Sequence, residues 1–195
     1  MSPQPRRIRV IAGTARGRRL VVPDGDGVRP TKDMVREAMF SALDARRAVV
    51  DATVLDLYAG SGALAIEALS RGSARAVLVE RGRAAQQALR ANLELVHFTD
   101  RARVAAFDVE RFLADRPPPE APFGLVFVDP PYETADDVVA ARVGALTTAG
   151  WLAPGAIVTV ERPVRHPVAA PDGWTSGWER TFGDTLLTFL FREPA

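Results

Sequence analysis

The sequence contains no cysteine among its 195 residues, and its two histidines, His97 and His166, lie far apart in the chain. Disulfides and thiolate metal sites are therefore excluded, and neither a zinc centre nor a histidine base is expected. No run of about eighteen uninterrupted apolar residues occurs and no charged-then-apolar leader is present, so we expect neither a membrane span nor a secretory signal. Hydrophobic residues make up 47% of the chain, which is enough for a sizeable core, and we expect a cytosolic protein.

The charged residues are distributed unevenly. Six of the 25 basic residues lie in residues 1–23, which contain no acidic residue, so this segment carries +6 and the remainder carries −5. Such asymmetry suggests a basic arm that binds a polyanion, and a solvated terminus is the alternative. Two β-prone runs, 9–13 and 18–23, flank a glycine-containing turn and predict a small hairpin. We therefore expect a basic arm over residues 1–30 and a larger domain over residues 31–195.

The larger domain begins with a predicted helix and then alternates between strands and helices. Thr31 is a plausible N-cap for the first helix, whose apolar residues recur at helical spacing: Val35, Ala38, Met39, Ala42 and Leu43. Strands are then predicted over 54–58, 75–80, 103–107, 123–128 and 156–161, and helices over 62–71, 82–96, 109–115 and a segment ending at Gly150. The final β-prone runs, 174–182 and 185–191, predict a hairpin. This alternation favours an α/β fold, a doubly wound Rossmann-like sheet that is mostly parallel, with an antiparallel edge strand.

The most informative motif is Asp129-Pro130-Pro131-Tyr132, which directly follows the apolar run 123–128. A continuous apolar run is typical of a strand buried on both faces, so the motif is expected at the carboxyl edge of the sheet, where open α/β folds bind ligands. The Asp129 carboxylate and the Pro130 carbonyl can each accept one N–H of a planar amino group, and Tyr132 offers a stacking face. The motif thus favours binding of a base amino group, and an ordinary proline-rich turn is the alternative.

A glycine-containing turn follows the first strand of the larger domain. Gly60 and Gly62 allow a tight turn and the close approach of a ligand, and the next helix offers free N–H groups at its start. Glu80 closes the second strand, where a carboxylate can accept both hydroxyls of a ribose. The spacing also matches the fingerprint of dinucleotide sites. It indicates a nucleoside cofactor without identifying which one.

Two further carboxylates bear on the choice of cofactor. Asp56 would repel a pyrophosphate and better suits a cationic ligand such as S-adenosylmethionine, while Asp108 can accept from an adenine amino group. Each has a structural alternative, because Asp56 can cap the glycine turn and Asp108 can N-cap the next helix. In a sheet ordered 3-2-1-4-5, the Gly60 turn and the Asp129 turn would face each other across the crevice between strands 1 and 4.

Seven segments together resemble a known family: Arg9-Val-Ile-Ala-Gly13, Arg16-Gly-Arg-Arg-Leu20, Gly27-Val-Arg-Pro-Thr31, Val35-Arg-Glu37, and residues 55–64, 67–71 and 126–132. The chain resembles the class I S-adenosylmethionine-dependent methyltransferases that modify exocyclic amino groups. It is most similar to the RsmD family, bacterial enzymes that methylate N2 of a guanine in 16S ribosomal RNA. The resemblance covers residues 9–192. One position departs from the family pattern, because Glu80 is followed by Arg81 and Gly82 and not by a second acidic or polar residue.

The resemblance implies a cofactor, a substrate and a set of site residues. The cofactor would be S-adenosylmethionine, held by Asp56, Tyr58, Gly60, Ser61, Gly62, Glu80 and Asp108. The guanine would be held by Asp129, Pro130, Pro131 and Tyr132, and the RNA by Arg9, Arg16, Arg18, Arg19, Arg29, Thr31 and Arg36. No metal is implied. The family also implies a monomer that acts on 16S ribosomal RNA within an assembled or partly assembled small subunit.

The residues by themselves leave other activities open. The Asp-Pro-Pro-Tyr motif can hold any planar amine, so methylation of adenine N6 or of a protein amide nitrogen is one alternative. An NAD-dependent oxidoreductase accounts for Gly60, Gly62 and Glu80 but leaves the motif at Asp129 without a role. A non-catalytic RNA-binding module accounts for the basic arm alone.

Overall fold

The computed structural model describes residues 7–22 and 33–192. Near the start of the chain, β1 (Arg7–Arg9) and β2 (Arg19–Val21) pair in an antiparallel hairpin, which confirms the hairpin predicted from the two β-prone runs. Helix α1 then spans Asp33–Ala45. Arg29 and Thr31, and with Thr31 the predicted N-cap, lie outside the described residues.

Strands and helices alternate through the larger domain, as the sequence predicts. The elements are β3 (Thr53–Leu57), α2 (Ala63–Ser70), β4 (Arg75–Val79), α3 (Arg83–Leu95), β5 (Ala102–Ala105), α4 (Val109–Ala114), β6 (Phe123–Val128), α5 (Asp136–Ala145), β7 (Leu152–Pro163), β8 (Trp174–Phe182) and β9 (Thr185–Arg192). Among the helices of the described ranges, none has the length and apolarity needed to cross a membrane.

In the larger domain, two predicted boundaries differ from the structure by four or five residues. Helix α5 ends at Ala145 and not at Gly150, because short turn contacts occupy its last carbonyls, among them a hydrogen bond of 2.6 Å from Thr147 Oγ1 to the Gly144 carbonyl. Strand β7 begins at Leu152, earlier than predicted, because Leu152 pairs with Phe123 before an irregularity in the register. Both differences arise from contacts that hydrophobic periodicity does not encode.

Seven strands form one sheet in the order β5-β4-β3-β6-β7-β9-β8. The first five are parallel, which confirms the predicted order 3-2-1-4-5 and the doubly wound α/β class. β9 pairs antiparallel with β7, and β8 pairs antiparallel with β9. Both strands of the terminal hairpin therefore extend the sheet.

Helices cover both faces of this sheet. Along β6, Leu125 and Phe127 join one hydrophobic cluster, and Val126 and Val128 join the other, as the alternation of side chains along a strand requires. Helices α1, α2 and α3 pack on the first face, whereas α4 and α5 pack on the second. The carboxyl edge of the parallel strands is left between these two layers.

The basic hairpin belongs to the first of these clusters. Its side chains Ile8, Val10, Leu20 and Val22 are buried together with Phe40 of α1. Burying one aliphatic side chain contributes about 1.5–3 kcal/mol, so the hairpin adds appreciably to the stability of the larger domain. The division of the chain at residue 30 stays a prediction.

Candidate active site

The two turns singled out in the sequence emerge side by side. β3 and β6 are neighbouring parallel strands in which Leu57 is level with Val128, so the next residues, Tyr58 and Asp129, leave the sheet at the same edge. Asp129 is half-buried and Pro130 is buried. The glycine turn after β3 and the Asp-Pro-Pro-Tyr turn after β6 therefore border one crevice, where open α/β sheets bind ligands.

The shape of the first turn depends on its glycines. Gly60 has φ +54° and Gly62 has φ +80°, in the left-handed region that side chains rarely adopt. A Cβ on Gly62 would also lie 3.3 Å from both Leu78 Cδ2 and Leu89 Cγ. Tyr58 shares the left-handed conformation, with φ 66°, although such strain costs about 1–3 kcal/mol in a non-glycine residue. The turn is thus a tight, strained structure beside the crevice.

Glu80 holds this turn to the end of the next strand. Its Oε2 accepts a hydrogen bond of 2.9 Å from the Gly60 amide, and its Oε1 accepts one of 2.6 Å from the Gly82 amide. Gln86 Nε2 donates to the Glu80 carbonyl at 2.8 Å. Each carboxylate oxygen has a second lone pair, so Glu80 is oriented by the backbone and can still accept hydroxyl groups of a ligand. Gly82, where the sequence departs from the family pattern, contributes through its amide.

Asp56 lies beneath the glycine turn and is 1% exposed. Its Oδ2 accepts a hydrogen bond of 3.2 Å from the Ala65 amide in the first turn of α2, whose N-cap, Gly62, has no side chain to do so. The capping role considered in the sequence is therefore present. Burial raises the pKa of Asp56 to about 7, the Ala65 hydrogen bond opposes this shift, and the charge of Glu80 adds to it. A contact of Asp56 with a cofactor stays a prediction.

Asp108 follows β5, which is separated from β3 in the sheet by β4. Its Oδ1 accepts a hydrogen bond of 2.9 Å from the Glu110 amide, so it is the N-cap of α4. Its Oδ2 lies 3.4 Å from Nη1 of Arg81, a residue exposed at the end of β4. The capping role considered in the sequence is thus present here as well, and the contact of Asp108 with an adenine stays a prediction.

Tyr58 borders the layer formed by α4 and α5. Burial raises the pKa of the Tyr58 hydroxyl, and the nearby Arg142 cation partly opposes that shift. Arg142 Nη2 also donates to Glu110 Oε2 at 2.7 Å. Tyr58 therefore lies where an ion pair joins the two helices beside the crevice.

The arginines predicted to bind RNA fall into two groups. Arg9, Arg16, Arg18 and Arg19 are exposed on the hairpin. Arg36 is 1% exposed and donates to the Arg9 carbonyl at 2.5 Å and to Asp33 Oδ1 at 2.9 Å. Its position favours a structural role, in which it holds the hairpin against α1.

Two buried polar residues that the sequence reasoning missed attach the hairpin to the domain. Glu67 of α2 accepts hydrogen bonds from the Ile11 amide at 2.7 Å and the Ala12 amide at 3.0 Å. Asn92 of α3 accepts from the Val21 amide and donates to its carbonyl, both at 2.8 Å. A signal was available for Asn92, because it is a polar residue on the otherwise apolar face of α3 that the periodicity defines. Glu67 gives a similar signal, as a charged residue within the apolar segment 63–69, but its partners lie more than fifty positions away and could not be predicted.

The fold is that of the Rossmann-like methyltransferases. Residues 8–191 match the family described as "Conserved hypothetical protein 95", and the chain belongs to this family, which confirms the resemblance to the RsmD family. It is 40% identical over 187 residues to "Ribosomal RNA small subunit methyltransferase D" of Escherichia coli K12, covering 95% of this chain and 90% of that protein.

Further relatives support the same assignment. The protein of that name from Haemophilus influenzae is 33% identical over 177 residues, which is 90% of this chain and 89% of that protein. The solved structure of yhhF from Escherichia coli superposes with a TM-score of 0.83 at 40% identity and covers 96% of this chain and 98% of its own.

Proposed function

We propose that this protein transfers the methyl group of S-adenosylmethionine to the exocyclic N2 amine of a guanine in 16S ribosomal RNA. The observation that carries the proposal is the parallel pairing of β3 with β6, which sets the glycine turn and Asp129 at one edge of the sheet. Membership of the family and the names of its curated relatives support ribosomal RNA as the substrate.

The residues around the glycine turn fit S-adenosylmethionine. Glu80, fixed by the amides of Gly60 and Gly82, would hold the ribose hydroxyls, and the glycines admit the ligand close to the backbone. The carboxyl group of Asp56 is buried beneath the turn, and above its raised pKa of about 7 its negative charge would suit a cationic ligand better than a pyrophosphate. Ser61, Tyr58 and Asp108 would complete the site. When bound, this cofactor supplies an electrophilic methyl group.

The Asp-Pro-Pro-Tyr turn would hold and orient the amine. The Asp129 carboxylate and the Pro130 carbonyl accept its two N–H bonds, and Tyr132 stacks on the ring. These hydrogen bonds favour a pyramidal nitrogen whose lone pair points toward the methyl group. No strong base is needed, because the nitrogen becomes acidic only as it gains the methyl; Asp129 or water then takes the proton. Pro131 keeps the turn stiff.

The hairpin would grip the RNA around the target. Arg9, Arg16, Arg18 and Arg19 offer cations to phosphates, and Arg29 and Thr31 are assigned to the same contact on the resemblance alone. The base has to leave its stack to reach the crevice, which favours a nucleotide in a loop. We further propose that the protein acts as a cytoplasmic monomer on an assembled or partly assembled small subunit, with residues 1–30 as the arm and 31–195 as the catalytic domain.

Mapping of modified nucleotides tests this proposal directly. Ribosomal RNA from cells with and without the protein is compared by mass spectrometry, and loss of one N2-methylguanine from 16S RNA is the expected result. Loss of an N6-methyladenine or of a methylated protein amide would select those alternatives. Calorimetry with S-adenosylhomocysteine and with NAD separates a methyltransferase from an oxidoreductase, while cofactor binding without turnover on any RNA would favour a binding module.

The role of Asp129 has its own test. Removing one preorganised hydrogen-bond acceptor should slow the chemical step by about 10²–10³-fold, so Asp129→Ala is expected to do so in single-turnover methyl transfer. The control is Asp100→Ala, which changes an exposed aspartate between α3 and β5, on the opposite edge of the sheet. A rate for Asp129→Ala within a few-fold of the wild type would exclude this role.

A further inference from the structure

Arg162 is a buried arginine at the end of β7, and nothing in the proposed chemistry requires it. Its side chain is 3% exposed. Burying a guanidinium is costly unless its donors are matched by well-placed acceptors. An arginine in this position therefore needs a structural or functional reason.

The acceptors of Arg162 all belong to the segment that follows Asp129 and Pro130. Its Nη2 donates to the Thr134 carbonyl and to Asp136 Oδ1, both at 2.7 Å. Its Nη1 makes a longer contact of 3.5 Å with the Pro131 carbonyl. Its Nε is buried without a hydrogen-bond partner in the described ranges. Both terminal nitrogens of the guanidinium therefore donate to residues within the segment 131–136.

The position of Arg162 in the sheet explains why its side chain contacts residues 131–136. β7 is the parallel neighbour of β6, with Val160 level with Val128, so Arg162 lies at the same edge as the Asp129 turn. It lies on the face of the sheet covered by α5, because side chains two residues apart share a face and Val160 packs with Val139 and Val143 of that helix. Asp136 is the first residue of α5.

The electrostatics of Asp136 agree with its ion pair to Arg162. The Arg162 guanidinium holds the pKa of Asp136 below its ordinary value, and His166, with Nδ1 3.3 Å from Asp136 Oδ2, acts in the same direction. Asp136 is therefore an ionised partner at neutral pH. Thr134 adds a local constraint, since its amide donates to the Pro131 carbonyl at 3.0 Å.

We propose that Arg162 is a positioning residue for the methyl acceptor. It fixes residues 131–136 and thereby orients the Tyr132 ring and the Pro130 carbonyl so that they can contact the base. This inference rests on the proposed function of the Asp-Pro-Pro-Tyr turn. Two carbonyls and one carboxylate define the orientation of a planar guanidinium, which the point charge of a lysine does not reproduce. Arg162 touches no reacting atom and acts only through the turn.

The test compares Arg162→Lys with a matched control, Arg103→Lys. Arg103 is also a strand arginine with a 2.7 Å ion pair, to Glu120, but it lies on β5, with β4, β3 and β6 between it and β7. Single-turnover methyl transfer is measured on small ribosomal subunits from cells lacking the protein. We expect Arg162→Lys to slow transfer by about 10- to 100-fold and to leave the affinity for S-adenosylhomocysteine within about twofold. Wild-type rates for Arg162→Lys would overturn the proposal.

A second measurement separates this inference from the proposed function. Hydrogen–deuterium exchange of peptides covering residues 129–138 should rise in Arg162→Lys and stay unchanged in Arg103→Lys. Asp136→Asn, which retains an acceptor but loses the charge, should raise exchange in the same peptides to a smaller extent and supplies the test if the arginine variant fails to fold. Unchanged exchange in these variants would overturn positioning by Arg162, whereas absence of methyl transfer by the wild type on every ribosomal substrate would overturn the proposed function.

Discussion

Asn92 donates a hydrogen bond of 2.9 Å from its side-chain amide to the Ser61 carbonyl in the glycine turn. The same Nδ2 donates to the Val21 carbonyl of the hairpin at 2.8 Å, and the residue is 0% exposed. One side chain therefore joins the proposed cofactor turn to the proposed RNA-binding hairpin.

Replacing Asn92 by leucine should weaken both attachments. Asn92→Leu keeps the approximate volume but removes the partner of the buried Ser61 carbonyl, at about 1–3 kcal/mol, and those of the part-buried Val21 amide and carbonyl, at a smaller cost. We expect a lower free energy of unfolding in urea and a several-fold weaker affinity for S-adenosylhomocysteine by calorimetry. Gln87→Leu, an exposed position on the same helix, is the control. Wild-type values of both quantities in Asn92→Leu would show that the link is unimportant.

Gly13 should tolerate no side chain. It has φ +79°, and an added Cβ would lie 1.8 Å from the Ser70 carbonyl oxygen, which already accepts from the Thr14 amide at 2.8 Å. Gly17 in the same hairpin turn has φ +84° and open space around it. We expect Gly17→Ala to cost about 1–2 kcal/mol of unfolding free energy, from backbone strain alone, and Gly13→Ala to cost more. Equal urea midpoints for the two variants would contradict the steric contact.

The raised pKa of Asp56 should make stability depend on pH. The folded protein binds a proton at Asp56 up to about pH 7, whereas the unfolded chain releases it near 3.8. Between these values the contribution of Asp56 to the unfolding free energy falls as the pH rises, and it is constant above pH 7. The wild type minus Asp56→Asn difference should therefore fall between pH 5 and 7 by about 1 kcal/mol per pH unit.

Urea unfolding at several pH values measures that difference and cancels the groups common to both proteins. The same experiment on Asp100→Asn, which changes an exposed aspartate, controls for the loss of one surface carboxylate. A flat difference for Asp56→Asn from pH 5 to pH 8 would mean that Asp56 ionises as an ordinary aspartate.

The exposed hairpin arginines should act on phosphates and not on bases. Each of Arg18→Gln and Arg19→Gln is expected to reduce the slope of log affinity against log salt by about 1, without changing which nucleotide is methylated. Arg116→Gln, at an exposed position between α4 and β6, should leave the slope unchanged. If the hairpin variants instead shifted methylation to another nucleotide at an unchanged slope, Arg18 and Arg19 would contact bases and not phosphates.

The sheet and its crevice were predictable because their signals are local. The apolar run 123–128 has the length and composition of a strand buried on both faces, and β6 occupies those residues. Strand–helix alternation then limits the topology to a few arrangements, of which one brings the Gly60 turn to Asp129. The pairing of β3 with β6 follows from that topology.

The buried polar contacts were not predictable in the same way. Asn92 interrupts the apolar face of α3, which signals an unusual contact, whereas Arg162 lies just beyond the predicted strand 156–161 and interrupts no apolar pattern. The pattern does not say what the partner is, because Asn92 meets Val21 across 71 positions of sequence. Such pairings depend on how separate elements dock, which is set by the whole core and not by a local window.

The apolar side of the hairpin has a practical consequence. Its four buried aliphatic side chains pack in the hydrophobic core beneath α1. A chain shortened to begin after residue 22 would therefore expose a hydrophobic surface to water. Aggregation of such a truncated protein would then be mistaken for a loss of RNA recognition. Charge substitutions on the outer side of the hairpin avoid that confusion, since they leave the interior filled.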